Sequence, residues 1–433
     1  RELTVVEVLA AASRDVEKDF AGQPKVAARM HGVMSRLYRD LGRFEAARGH
    51  IERGLELRRG LAAEPSEETL ALRRERGLLD RAESDYVQAE STFTALLRDR
   101  RALGRRDRAM VDALSELGGL YVMQERFEDA VPPLEEALAI GRPILDESDP
   151  LLSAIYASLG TSHRLSGDFE ASEKYLRLAL DLDIRYLGSA HVGTASSYQN
   201  LAGLYREVGR LDEALTLYQD SYEASVAVYG PDHPNTVRYR GNLALCLSDL
   251  GRYEEALQHS REVVAIRERT LGPDMPATLV SRINLDLLYQ RMEDFESCVE
   301  SANETRRRIY ARFPDTHLYA MMIDAILGQA TFSAGDTRTG ESLLASPVER
   351  LRAAYPEGHW RLARVLAALG TCHGQLGRHE QGEAELLEAH QMFARTLGAG
   401  DQRTQDTARR LVELYRSWNR PADADRWLAQ AGS

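Results

Sequence analysis

One stretch of this chain, SSYQNLAGLYREVGRLDEALTLYQDSYEASVAVYGPDHPNT from Ser196 to Thr236, recurs along nearly the whole sequence at a step of 42 residues, with a single step of 41. The slot of Leu211 is filled in turn by Phe44, Tyr86, Phe127, Phe169, Leu211, Tyr253, Phe295, Thr337, His379 and Pro421. Three places further on, Ala47, Ala89, Ala130, Ser172, Ala214, Ala256, Cys298, Gly340, Gly382 and Ala424 are all small. Ten places before the first slot, leucine stands in eight of ten repeats, from Leu117 to Leu411. A repeat of this kind cannot bury its apolar face alone, so the chain must stack its copies into a continuous array.

Each copy reads as two helices. Leu201, Leu204, Tyr205 and Val208 share one helical face, and Gly209 suits the left-handed turn that ends a helix. A second helix starts at Asp212, carries Leu211, Ala214, Leu215, Tyr218 and Tyr222 inward, and gains from Asp212 and Glu213 near its positive end. Pro231 to Thr236 turns the chain into the next copy, with Pro234 placed for a turn or a first helical position. The small column marks a close helix crossing. A second column, Gly77, Gly118, Gly160, Ala202, Ala244, Gly328 and Gly370, does the same for the first helix, broken by Asp286 and Val412.

Leu201-Ala202-x-x-Tyr205, then Ala214, then a proline-containing linker, resembles the tetratricopeptide repeat (TPR). The longer step and the linkers Leu187 to Thr194, Tyr229 to Thr236 and Leu271 to Thr278 resemble the kinesin-light-chain type of that repeat. The resemblance implies an all-α fold, a right-handed superhelical α-solenoid of about ten helix-turn-helix units. It spans residues 23–433, after a capping helix within 1–22. As a fold it serves many binding roles and names none.

A net charge of −12 argues against a nucleic-acid partner. The basic run Arg98, Arg100, Arg101, Arg105, Arg106 and Arg108, interleaved with Asp99 and Asp107, reads as a helix end favouring cations, or else as a site for an acidic partner. Cys246, Cys298 and Cys372 are widely spaced, form no metal pattern and read as small packing residues. No apolar run reaches the ~18 residues of a membrane span, so no membrane contact is expected of this chain. It begins with Arg1 and reads as a fragment, cytoplasmic or the extracytoplasmic part of a membrane-anchored parent.

Residues 3–20 form an amphipathic helix with no partner inside a repeat, suited to cap the first copy. That opening, with Gln23-Pro24-Lys25-Val26 and Leu37-Tyr38-x-x-Leu41-Gly42-x-Phe44-x-x-Ala47, resembles the start of the TPR extension of bacterial serine/threonine protein kinases. Such a parent would make this chain a regulatory or oligomerising part. The glycine-rich loop, HRD and DFG of a kinase are absent from the sequence itself. Repeat two is degenerate, with Arg76 and Asp80 in slots filled mostly by Leu and Tyr. In repeat eight Pro347 should shorten or kink its helix. The last helix, Ala422 to Ala431, has no successor and caps the array.

Patterns for an enzyme (GxSxG, HExxH, a P-loop, GxGxxG) are missing, so no catalytic residue, cofactor or metal is expected. His191, His233, His317 and His359 share one linker slot a full repeat apart, which suits a turn better than convergence on an ion. The column before the recurrent leucine is more informative: Val33, Glu75, Glu116, Ser158, Asn200, Asn242, Asn284, Ile326, Ala368 and Arg410. Asn is a poor helix former. In TPR proteins this slot faces the concave groove, and its Asn often binds a peptide backbone, to which an amide can donate and accept at once. Three asparagines making two hydrogen bonds each supply about 6 kcal/mol, a Kd of tens of micromolar. Arg164 and Arg206, six places beyond the column, and Arg238, four before Asn242, would hold an acidic side chain or carboxylate. The alternative is that the asparagines bond between helices and the arginines pair with local acids such as Glu207. The expected partner is a protein or peptide, bound without catalysis.

Overall fold

A computed structural model of the chain describes residues 5–61, 66–428 and 430–431. Its described residues form 21 α-helices and no strand. After α1 (Val5–Asp19), ten first helices follow: α2 (Pro24–Asp40), α4 (Glu67–Ala82), α6 (Arg108–Met123), α8 (Pro150–Leu165), α10 (Val192–Glu207), α12 (Pro234–Asp249), α14 (Pro276–Arg291), α16 (Leu318–Ser333), α18 (Trp360–Gln375) and α20 (Gln402–Ser417). They alternate with ten second helices: α3 (Phe44–Arg59), α5 (Tyr86–Ala102), α7 (Phe127–Gly141), α9 (Phe169–Leu187), α11 (Leu211–Tyr229), α13 (Tyr253–Thr270), α15 (Phe295–Arg312), α17 (Thr337–Ala354), α19 (His379–Leu397) and α21 (Pro421–Leu428). The Leu211 column is therefore the first residue of the second helix in every repeat, one residue before the start expected at Asp212.

The chain divides into two compact halves, Arg1–Val228 and Tyr229–Ser433. In the first, successive first helices pack on one another from α2 to α10; in the second, α14 packs on α16, α16 on α18 and α18 on α20. The second helices pack chiefly on the first helices that flank them. Within each half the first helices thus form one layer and the second helices the other.

Helix crossings explain both small columns. All ten members of the first are buried. Opposite the second, one large side chain from the following helix sits directly on the glycine. A Cβ at Gly118 would lie 2.4 Å from Leu134 Cγ, at Gly160 2.6 Å from Leu176 Cγ, and at Gly77 2.8 Å from the Phe93 ring. Gly in a helix costs about 1 kcal/mol against Ala; burying Phe93, Leu134 or Leu176 against a partner helix returns about 2 kcal/mol or more.

The turn between the two helices of each repeat places one residue in the left-handed region. It is glycine in six repeats, as at Gly209 (φ 80°), and Ser84, Glu125, Glu293 or Asn419 in the others. The linker histidines also have a defined task. Nδ1 of His191, His233, His317 and His359 accepts the N–H of Gly193, Asn235, Tyr319 and Arg361 at 3.0, 3.2, 3.2 and 3.1 Å, capping α10, α12, α16 and α18. Asp107, Asp149 and Asp401 cap α6, α8 and α20 from the same slot. Met275 fills it before α14 and makes no side-chain cap bond. Met275→Asp should therefore stabilise the protein by about 1 kcal/mol, the usual worth of an N-cap, read as a rise in the urea midpoint.

α1 packs on the first repeat, with Val16 buried among Ala28, Met34 and Ile51. It begins at Val5; positions 3 and 4 lie outside the described residues. Two expectations need correction. Pro347 does not shorten α17, which runs through it to Ala354; buried Leu344, Val348 and Leu351 on either side hold the helix against one lost backbone bond. The last helix ends at Leu428 rather than Ala431. In degenerate repeat two, buried Asp80 is compensated: Arg48 donates to it at 2.9 Å and Thr92 at 3.2 Å, with Arg76 3.8 Å away.

Candidate functional site

The column before the recurrent leucine lies on the free face of the first helices, and its chemistry changes along the chain. In the first half Glu75 pairs with Arg39 at 2.8 Å, and Glu116 is held by Arg74 and Arg81. These acids are spent on stacking one repeat to the next. Asn200 follows on α10, half-buried and with no side-chain hydrogen bond among the described residues.

In the second half the face opens into a cavity of about 480 Å³ lined by residues from α12, α14, α16, α18 and α20. Four successive members of the column, Asn284, Ile326, Ala368 and Arg410, line it. Asn284 is half-buried, and its amide makes no hydrogen bond among the described residues. The inter-helix bonding offered as the alternative is thus not made by Asn200 or Asn284. Asn242 is half-buried on α12 and interacts within the protein. The neighbouring slots face the same way: Ser248 and Gln290, six places beyond the column, line the cavity, as do Arg364 and Asp406, four places before it.

These are the slots in which Arg164, Arg206 and Arg238 were singled out, and the three differ. Arg164 donates to Glu207 at 2.6 Å, the local-acid pairing. Arg206 also interacts within the protein. Arg238 is exposed, its guanidinium 4.6 Å from the centre of the Tyr239 ring. The basic run is largely consumed internally: Arg100 is buried and bonds Glu67 and Asp107, while Arg101 reaches Glu136 and Arg108 reaches Asp149.

Residues that the sequence did not single out complete the cavity wall. Arg364 is half-buried with no hydrogen bond or ion pair among the described residues. Desolvation, with the charges of Arg361 and Arg403, pushes its pKa below the ordinary arginine value. Among the described residues Arg410 makes two long bonds, to the Ala367 carbonyl at 3.3 Å and the Thr371 hydroxyl at 3.4 Å, and burial lowers its pKa too. The −4 and 0 slots could have pointed to Arg364 and Arg410; which arginines remain unpaired depends on side-chain partners a repeat away.

The three cysteines are free and buried, and burial pushes the thiols of Cys298 and Cys372 up to about 12, which leaves them unreactive packing groups. No helix among the described residues is long and apolar enough to cross a membrane.

Comparison with known proteins agrees with this architecture. The tetratricopeptide repeat family matches residues 151–225, 199–269 and 240–308, and in a second form 110–150. Protein KINESIN LIGHT CHAIN-RELATED 2 of Arabidopsis thaliana is 27% identical over 178 residues, 40% of this chain and 26% of that protein. The chain thus spans about a quarter of the length of this curated relative. Among solved structures, the apo form of the quorum sensor NprR from B. thuringiensis matches 88% of this chain and 100% of its own, at 12% identity and a TM-score of 0.62. A Rap protein complexed with Competence and Sporulation Factor matches 94% of this chain and 97% of its own, at 13% identity and a TM-score of 0.52. With residues 110–308 matched by the family and the helices on either side paired in the same way, this chain carries tetratricopeptide repeats.

Proposed function

We propose that the chain is a non-catalytic interaction module whose first-helix face binds an extended peptide or protein segment. The observation that carries this reading is Asn284: a half-buried amide without a hydrogen-bond partner among the described residues, opening into a cavity that the same slot of the next three repeats also lines. An unpartnered amide at such a site suits a peptide backbone, to which it can donate and accept together. Asn242 and Asn200 hold the same slot in the preceding repeats, with Arg164, Arg206 and Arg238 beside it as contacts for an acidic side chain or carboxylate. The fold is shared with a Rap protein crystallised as a complex with Competence and Sporulation Factor, which supports the class of activity. A kinase parent, suggested by the opening stretch, would place the same face in a regulatory region.

The test is a peptide selected from a random library on the immobilised wild-type protein, then titrated against Asn284→Ala, Asn242→Ala and Asn200→Ala. Two hydrogen bonds at about 1 kcal/mol each predict a loss of at least tenfold in affinity for Asn284→Ala, with helicity unchanged by circular dichroism. Equal affinity for wild type and all three variants would remove the asparagines from the site.

A further inference from the structure

Degenerate repeat two holds a cavity of its own, of about 420 Å³, in the first half of the chain. Residues of the second helices α3 and α5 line its sides, and residues of α4, which packs on both, line its floor. Among the described residues none from the neighbouring first helices α2 and α6 lines it, so it opens on the second-helix layer. The sequence explains its chemistry. Arg76 stands in the slot that is leucine in eight repeats, Asp80 where Tyr38, Tyr121, Tyr205, Tyr289 and Tyr415 stand, and Thr92 where Tyr175, Leu217, Leu343 and Trp427 stand. Three slots that carry bulky apolar or aromatic groups elsewhere are polar here.

Arg59, Arg73, Arg76 and Arg98 line the cavity, and among the described residues no carboxylate does. The nearest acids stand outside the lining. Arg73 pairs with Asp99, which is also 3.7 Å from Arg98, and Arg76 lies 3.8 Å from Asp80. Asp80 already accepts from Arg48 at 2.9 Å and Thr92 at 3.2 Å. Four guanidinium groups thus share two carboxylates, one of them engaged elsewhere as well, in a chain of net charge −12. A concave surface with such a surplus concentrates anions.

We infer that this cavity binds a phosphorylated small molecule, its phosphate seated among Arg59, Arg76 and Arg98. A phosphate ester carries about −1.5 to −2 charge at pH 7 and three acceptor oxygens, which matches the surplus; a single carboxylate would leave half of it. Guanidinium forks meet phosphate oxygens in pairs. The Ser91 and Thr92 hydroxyls and the Gln88 amide, also on the wall, suit the polar remainder of the ligand. No aromatic ring among the described residues lines the cavity for a nucleobase to stack on, so the ligand is a bare polyphosphate or a phosphorylated polyol rather than a nucleotide. The volume falls in the ordinary range of small-molecule sites.

The test is isothermal titration calorimetry on the full chain at about 50 mM salt, where screening is weak, with inorganic pyrophosphate, β-glycerophosphate and citrate as probes. At least one of the two phosphates should bind at least tenfold more tightly than citrate, and the tighter of them tells a polyphosphate ligand from a polyol ester. Arg76→Leu, which restores the residue of the other repeats, should abolish that binding with the urea midpoint unchanged or higher. Arg59→Gln/Arg98→Gln, at two exposed positions, should weaken it at least tenfold through lost charge-assisted hydrogen bonds. Arg364→Gln/Arg410→Gln, in the cavity of the second half, should leave it unchanged. Binding of neither phosphate, equal binding of citrate, binding that survives Arg76→Leu, or binding lost in Arg364→Gln/Arg410→Gln would overturn the inference.

Discussion

Gly340→Ala is expected to destabilise the protein by about 1–2 kcal/mol, although alanine is the better helix former. Gly340 stands in the small column at the start of α17, and a Cβ there would lie 2.5 Å from the Phe332 backbone nitrogen and 2.7 Å from its Cα. Backbone cannot swing aside as a side chain does, so α17 would have to move off α16. Overpacking of this kind costs typically 1–3 kcal/mol, and the helix-propensity gain of about 1 kcal/mol offsets only part of it. Gly49→Ala is the control: Gly49 lies in α3, with nothing within 4 Å of its would-be Cβ, and the change should stabilise by about 0.5–1 kcal/mol. Urea midpoints with opposite signs would establish that the small column exists for close approach. A Gly340→Ala midpoint equal to wild type would contradict it.

The second large effect concerns Asp286, which interrupts the crossing column with a carboxyl. It is fully buried, accepts a hydrogen bond from Ser301 on one oxygen and leaves the other without a partner. Burial pushes its pKa up from 3.8 to about 6, against the opposing influence of Ser301, Thr305 and the charge of Arg282. The folded state therefore binds more protons than the unfolded chain between about pH 4 and 6, and stability falls as pH rises through that window. Above it the full penalty stands, about 3 kcal/mol for a shift of about two pKa units. Asp286→Ala restores the small residue of the other repeats and removes the titrating group. Its stability relative to wild type should grow by about 3 kcal/mol between pH 4 and pH 7 and stay level above. A pH-independent difference would show that the carboxyl does not titrate across this range.

Much of the fold was legible because a repeat states each constraint ten times. The Leu211 slot proved to be the first residue of every second helix, and the column three residues on proved buried throughout, since both follow from backbone geometry alone. The linker histidines were legible as turn residues, but their capping role lies in a hydrogen bond that Nδ1 accepts from a backbone N–H two residues on, which no pattern displays. Pro347 shows the opposite failure, a local penalty overridden by the burial of its own helix at Leu344, Val348 and Leu351. At the site, the slot facing the cavity could be read from the period. Its occupancy could not: Arg164 is neutralised by Glu207, 43 residues away, whereas Arg364, in the slot of Arg238, has only Met322 and Asp406 as same-slot neighbours, and Asp406 is engaged elsewhere.

The most direct test of where a ligand lies is photo-crosslinking. The library-selected peptide, carrying a benzophenone at its centre, would be irradiated with the wild-type protein and the crosslinked tryptic fragments identified by mass spectrometry. Binding on the first-helix face predicts crosslinks within α14, α16, α18 and α20, lost on competition with unlabelled peptide. Competable crosslinks confined to the second helices, α13, α15, α17 and α19, would contradict it and move the binding surface to the other layer.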